Sequence, residues 1–134
     1  MTKRISLLGA SLLLVVACTA SPGEITPQAE DGALYLHSAD VLVMESYPVQ
    51  VALVIAGELP TPCHELRYHY EIQDLGDEKR IDVNAYSVAD PEEICIQVLQ
   101  PFEEQVSFDL RNAAEGTYAV YLNGERVGEF SYPA

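Results

Sequence analysis

Gly116-Thr117-Tyr118-Ala119-Val120-Tyr121-Leu122-Asn123-Gly124-Glu125-Arg126-Val127-Gly128-Glu129-Phe130-Ser131-Tyr132 is the stretch that decides the fold. Two alternating runs flank Asn123-Gly124. A type I′ turn needs positive φ at both central positions, and Asn-Gly meets that need, so the stretch predicts a β-hairpin. Working outward, the same period of two recurs. Val106-Ser107-Phe108-Asp109-Leu110 is strand-like. Arg80 to Val88 and Glu65 to Gln73 form a second hairpin around Asp74-Leu75-Gly76-Asp77-Glu78. Val49, Val51, Leu53 and Ile55 alternate with Gln50, Ala52, Val54 and Ala56, apolar on both faces, as in a central strand. Asp40 to Glu45 predicts a first strand, with Leu34-Tyr35-Leu36 before it. Ile94 to Leu99 reads equally as a strand or a brief helix, and the spacing does not separate the two. Short strands with turns every 8–12 residues and no long helix predict an all-β sandwich of about seven strands.

The other end of the chain carries an address. Lys3 and Arg4 precede an apolar run, Ile5 to Ala17. That run is too short to span a bilayer, which takes roughly 20 residues. Its charge, length and small-residue ending are those of a secretory signal peptide. A buried N-terminal helix is the alternative, but the run has no polar face. The run closes on Val15-Val16-Ala17-Cys18, which resembles the lipobox of bacterial lipoproteins. The resemblance implies cleavage before Cys18 and attachment of diacylglycerol to its sulfur. Acylation of the new amino group, by palmitate-type chains, often follows. It also implies a location in the bacterial cell envelope, on the extracytoplasmic side. Thr19 stands where an aspartate would signal inner-membrane retention, which points to the outer membrane of a Gram-negative envelope. Two or three acyl chains hold a protein durably where one does not. Without lipidation, Cys18 would be a free thiol.

These readings divide the chain into a cleaved signal peptide (1–17), a lipidated cysteine and flexible tether (18–32) and a β-sandwich domain (33–134). The tether contains Ser21, Pro22, Gly23 and Pro27 with acids and little to bury. Without residues 1–17, five basic residues face 21 acidic ones, a formal net charge of −16. Such a domain lacks the net positive charge that supplies most of the attraction to nucleic acid or an anionic membrane surface. About a hundred residues make one domain with one core, marginal without help.

Cys63 and Cys95 are the remaining cysteines. In an exported domain a single pair is ordinarily joined. A thiolate nucleophile or a metal pair is the alternative, with only His64 adjacent and no CxxC or HxxxH spacing. Leu59-Pro60-Thr61-Pro62-Cys63-His64 is the most constrained irregular stretch, because each proline biases the residue before it to extended geometry.

Two further resemblances bear on the domain. Ala114-Glu115-Gly116-Thr117-Tyr118-Ala119-Val120 resembles the Asp-x-Gly-x-Tyr-x-Cys corner of immunoglobulin-like domains, with Ala114 and Val120 in place of Asp and Cys. It implies an immunoglobulin-like antiparallel sandwich in which the Tyr118 hydroxyl bonds to backbone. The Leu59–His64 stretch, Cys95, Pro101-Phe102-Glu103 and the terminal hairpin together resemble small bacterial lipoproteins of unassigned function. That resemblance implies a Cys63–Cys95 bridge and no particular activity.

No residues point to catalysis. His37, His64 and His69 fall on separate segments without ligand spacing, so no metal site is expected. The acids of Asp74–Glu78 lack the length and further ligands of a calcium loop. Glu92-Glu93 and Glu103-Glu104 are adjacent pairs, which on a strand point to opposite faces rather than into one cleft. There is no nucleophile elbow and no phosphate loop. Tyr68, Tyr70, Tyr86, Tyr118 and Tyr121 are many for a small domain and suit either a core or a binding face. The expectation is a non-enzymatic, cofactor-free envelope component. It meets the membrane through Cys18, meets a protein partner of the envelope, and does not bind nucleic acid. The alternative is a protease-inhibitor-like module presenting Leu59, Pro60, Thr61, Pro62 and His64 on a rigid loop.

Overall fold

The computed structural model describes residues 32–133. The signal, the lipobox with Cys18 and all of the tether except Gly32 lie outside the described residues. Seven strands follow in order: β1 (Tyr35–Met44), β2 (Gln50–Leu59), β3 (His64–Asp74), β4 (Lys79–Ala89), β5 (Gln100–Ser107), β6 (Gly116–Leu122) and β7 (Glu125–Tyr132). They form a three-stranded sheet, β1-β2-β5, and a four-stranded sheet, β3-β4-β6-β7. The all-β sandwich of seven strands stands as expected.

The inward rows follow from the period of two. Val51, Leu53 and Ile55 of β2 meet Ile81, Val83 and Ala85 of β4, with Val106, Phe108, Leu110, Tyr118, Val120, Leu122 and Phe130 completing the core. Burying each of the larger side chains contributes about 1.5–3 kcal/mol. β2 lies between β1 and β5, the central place that its two apolar faces predicted. Gly57 is required there, because a Cβ would collide with the Tyr35 carbonyl oxygen. The register of β1 shifts just beyond, between Leu36 and Ser38.

Boundaries differ from the sequence reading in several places: β1 is one strand from Tyr35 to Met44, and β2 and β3 take in Leu59 and His64 from the stretch read as irregular. β5 begins at Gln100 and ends at Ser107, not at Val106 to Leu110. Pro101 is tolerated because β5 is an edge strand, where a missing N–H breaks no ladder. Ile94 to Leu99 is neither strand nor helix but irregular chain.

The strand order also differs from the immunoglobulin arrangement. There the third strand lies beside the sixth. Here β4 lies beside β6, and the pair is parallel, Lys79 opposite Tyr118 through Val83 opposite Leu122. The other ladders are antiparallel. Parallel neighbours need a long crossover. Residues 90–115 supply it, placing β5 in the opposite sheet on the way.

Asn123 and Gly124 take positive φ, 50° and 85°, as the hairpin turn requires. Asn123 also extends the parallel ladder past the end of β6. Its side chain accepts from Ala85 N at 2.8 Å and donates to Ala85 O at 3.0 Å, while its own N–H donates to Val83 O at 2.9 Å. The amide thus satisfies two backbone groups on β4 that no strand reaches.

Candidate functional site

One end of the sandwich gathers the unusual chemistry. β2 ends there at Leu59, β3 starts at His64, β4 ends at Ala89 and β5 starts at Gln100. Leu59 stands opposite Gln100, and His64 opposite Ala89. Cys63 and Cys95 are bonded, joining the β2–β3 loop to the β4–β5 connection. The described chain also begins at this end. The Gly32 N–H donates to Ser87 O at 2.8 Å, and the Ser87 hydroxyl donates to Ala33 O.

The Leu59–His64 loop turns inward. Leu59, Pro60, Thr61 and His64 are buried, and only Pro62 is exposed. Thr61 Oγ1 lies 2.8 Å from His64 Nδ1 and accepts from Cys63 N at 3.3 Å. His64 Nε2 is buried without a hydrogen-bond partner among the described residues. A loop that inserts its side chains into its own domain does not offer them to a protease. The rigidity read from the prolines is therefore structural, and the loop serves as the seat of the disulfide.

What this end does present is the segment after the turn at Asp90. Ile94 is fully exposed, Ile96 is 67% exposed, and Val98 and Leu99 are half-exposed. Periodicity alone could not find this. Ile94, Ile96 and Val98 alternate like a strand, but no neighbouring strand pairs with them.

The remaining candidates lie apart. His37 faces Glu58 at 3.3 Å. His69 packs edge-on to Tyr86, with ring centroids 6.4 Å apart. Among the described residues no group of three or more His, Cys, Asp or Glu is placed to hold a metal ion, and no helix is long and apolar enough to cross a membrane. Tyr118 is buried, stacks on Phe130 with centroids 5.4 Å apart, and donates its hydroxyl to Ala114 O at 2.6 Å. Burial pushes that hydroxyl above the ordinary tyrosine range, with Lys79 pulling the other way.

At the opposite end an open cleft of about 320 Å³ is lined by Ile72, Asp74, Asp109, Asn112, Ala113 and Tyr118. Its two carboxylates are already engaged. The Gly76 N–H and the Lys79 ammonium hold Asp74 below its ordinary range. The Arg111 side chain and then its backbone N–H hold Asp109 down at about 2. The Arg111 fork meets Asp109 at 2.8 and 2.6 Å. Since the folded pKa is depressed, this pair's contribution is present above the ordinary carboxylate range, about 4. It is lost as pH falls through about 2. In a carboxyl NMR titration, Arg111→Gln is expected to move the Asp109 midpoint up towards the ordinary value. An unmoved midpoint would show that the backbone donor alone sets it.

The arrangement defines a disulfide-bonded β-sandwich domain. A family model, the ORF11 beta-sandwich domain, matches residues 53–132, more than half of the chain, and the chain belongs to that family. Comparison with curated proteins and with solved structures finds no match.

Proposed function

We propose that this protein is an exported, lipid-anchored β-sandwich that works in the bacterial cell envelope by binding rather than by catalysis. The observation that carries the reading is the N-terminal pattern: Lys3-Arg4, the apolar run and Val15-Val16-Ala17-Cys18. Two features of the fold support it. The Cys63–Cys95 bond belongs to an oxidising compartment. The described chain begins at Gly32 on the surface of the sandwich, leaving 14 residues back to Cys18. Whatever its conformation, a chain of that length reaches at most about 50 Å, which keeps the domain near a bilayer. The acidic surface keeps the domain soluble there and excludes nucleic acid as a partner.

The test is intact mass spectrometry of the membrane fraction from cells of the native host, with and without reductant. A chain starting at Cys18 with added diacylglycerol is the expected product. A chain of unmodified mass in the soluble fraction would overturn the anchor.

A further inference from the structure

Exposed aliphatic side chains are normal singly, but four in six residues on one protruding segment are not. Ile94, Ile96, Val98 and Leu99 form such a group, fastened to the domain through Cys95. Aliphatic tips without hydrogen-bonding heads suit an acyl environment. The segment sits at the end where the described chain begins, since Gly32 bonds to Ser87 on β4, two residues before that strand ends at Ala89. The described residues therefore join whatever precedes Gly32 at the same end as the aliphatic segment.

Charge narrows the choice of surface. Residues 81–110 contain no Lys or Arg, while Asp90, Glu92 and Glu93 precede the aliphatic tip and Glu103 and Glu104 follow it. The five Lys and Arg of the described residues are each in an ion pair elsewhere. An anionic lipid surface would repel this end, and a zwitterionic one would not.

We infer that the Ile94–Leu99 segment docks on the headgroup–acyl boundary of a zwitterionic bilayer, setting the domain upright on the membrane that anchors it. The inference rests on the lipid-anchored reading for its proximity to the bilayer. Tethering makes the contact intramolecular, so an individually weak insertion suffices. Interfacial binding grows with the apolar area inserted and responds to lipid charge. The acidic flanks give the contact a distinctive sign: anionic lipid weakens it, and added salt, by screening, restores it.

The chain has no tryptophan, so one introduced residue reports alone. Full-length Ile96→Trp and Leu75→Trp proteins are reconstituted into vesicles of bromine-labelled phosphatidylcholine. Leu75 is 60% exposed at the β3–β4 turn, at the far end of the sandwich, and serves as the control. Position 96 is expected to show several-fold stronger quenching and a blue-shifted emission. Both fall when phosphatidylglycerol is added and recover with salt. Ile94→Ser in the Ile96→Trp background is expected to reduce the quenching. Equal quenching at 96 and 75 on vesicle-bound protein overturns the docking, and leaves a protein surface as the occupant of the segment. Co-flotation and intact mass of the same samples read the anchor separately. Protein that neither floats nor quenches overturns the docking, while floated, lipidated protein without quenching leaves the anchor standing.

Discussion

Tyr118→Ala is expected to cost about 3–5 kcal/mol, the range for removing a large aromatic from a packed core. The ring is almost wholly buried, stacks on Phe130, and lies in the pair of strands that carries the parallel ladder. Its removal leaves a cavity beside Phe130 and leaves the carbonyl of exposed Ala114 to water. Since small domains have about 5–15 kcal/mol in hand, this variant stands near the limit of folding. Tyr118→Phe separates the two contributions. It keeps the ring and deletes only the 2.6 Å bond to Ala114 O, for a cost of about 1 kcal/mol. Urea unfolding followed by tyrosine fluorescence or circular dichroism measures both. If the phenylalanine variant lost as much as the alanine variant, the corner bond rather than the packing would hold this strand.

Removal of the disulfide is the second large effect. Cys63 and Cys95 are 32 residues apart, and a closed loop of that size restricts the unfolded chain by about 3–4 kcal/mol in the chain-entropy model. A Cys63→Ser, Cys95→Ser double variant is expected to lose that stability. For a domain of this size the melting temperature would fall by roughly 12–30 °C. A local effect accompanies it. The side chains of the 94–99 segment find little packing in the domain, so the bridge is its main attachment, and amide exchange across 90–99 should rise more than elsewhere. A melting temperature unchanged on reduction would mean that the segment is held by contacts other than the bridge.

These two positions differ in how far the sequence announced them. The corner tyrosine could be placed from Gly116-Thr117-Tyr118 because corner, turn and strand are neighbours along the chain. Pairing of Cys63 with Cys95 followed from compartment and count, but the ends it joins did not. The Leu59–His64 stretch was legible as rigid and not as buried, since proline restricts backbone angles without saying which way the side chains point. Thr61 and His64 turned out to bond each other inside the domain. The exposed tip at Ile94 was hidden for the converse reason: an alternating aliphatic run looks like a strand until one asks what pairs with it. Nothing local marked Asn123 as the group that completes the β4 edge, because its partner Ala85 lies 38 residues away.

The sequence by itself determined the number of strands, the hairpin turns and the address-like N-terminus. Each of these rests on interactions within a few residues: side-chain alternation, positive φ at Asn123-Gly124, and the length and charge of an apolar run. Only the tertiary structure decided that β4 rather than β3 lies beside β6, that the proline-rich loop folds inward, and that Ile94 to Leu99 stands out. Those outcomes depend on which distant segments compete for the same sheet edge and the same core volume. A local pattern records that a strand has an apolar face, and the packing of the whole chain chooses what covers it.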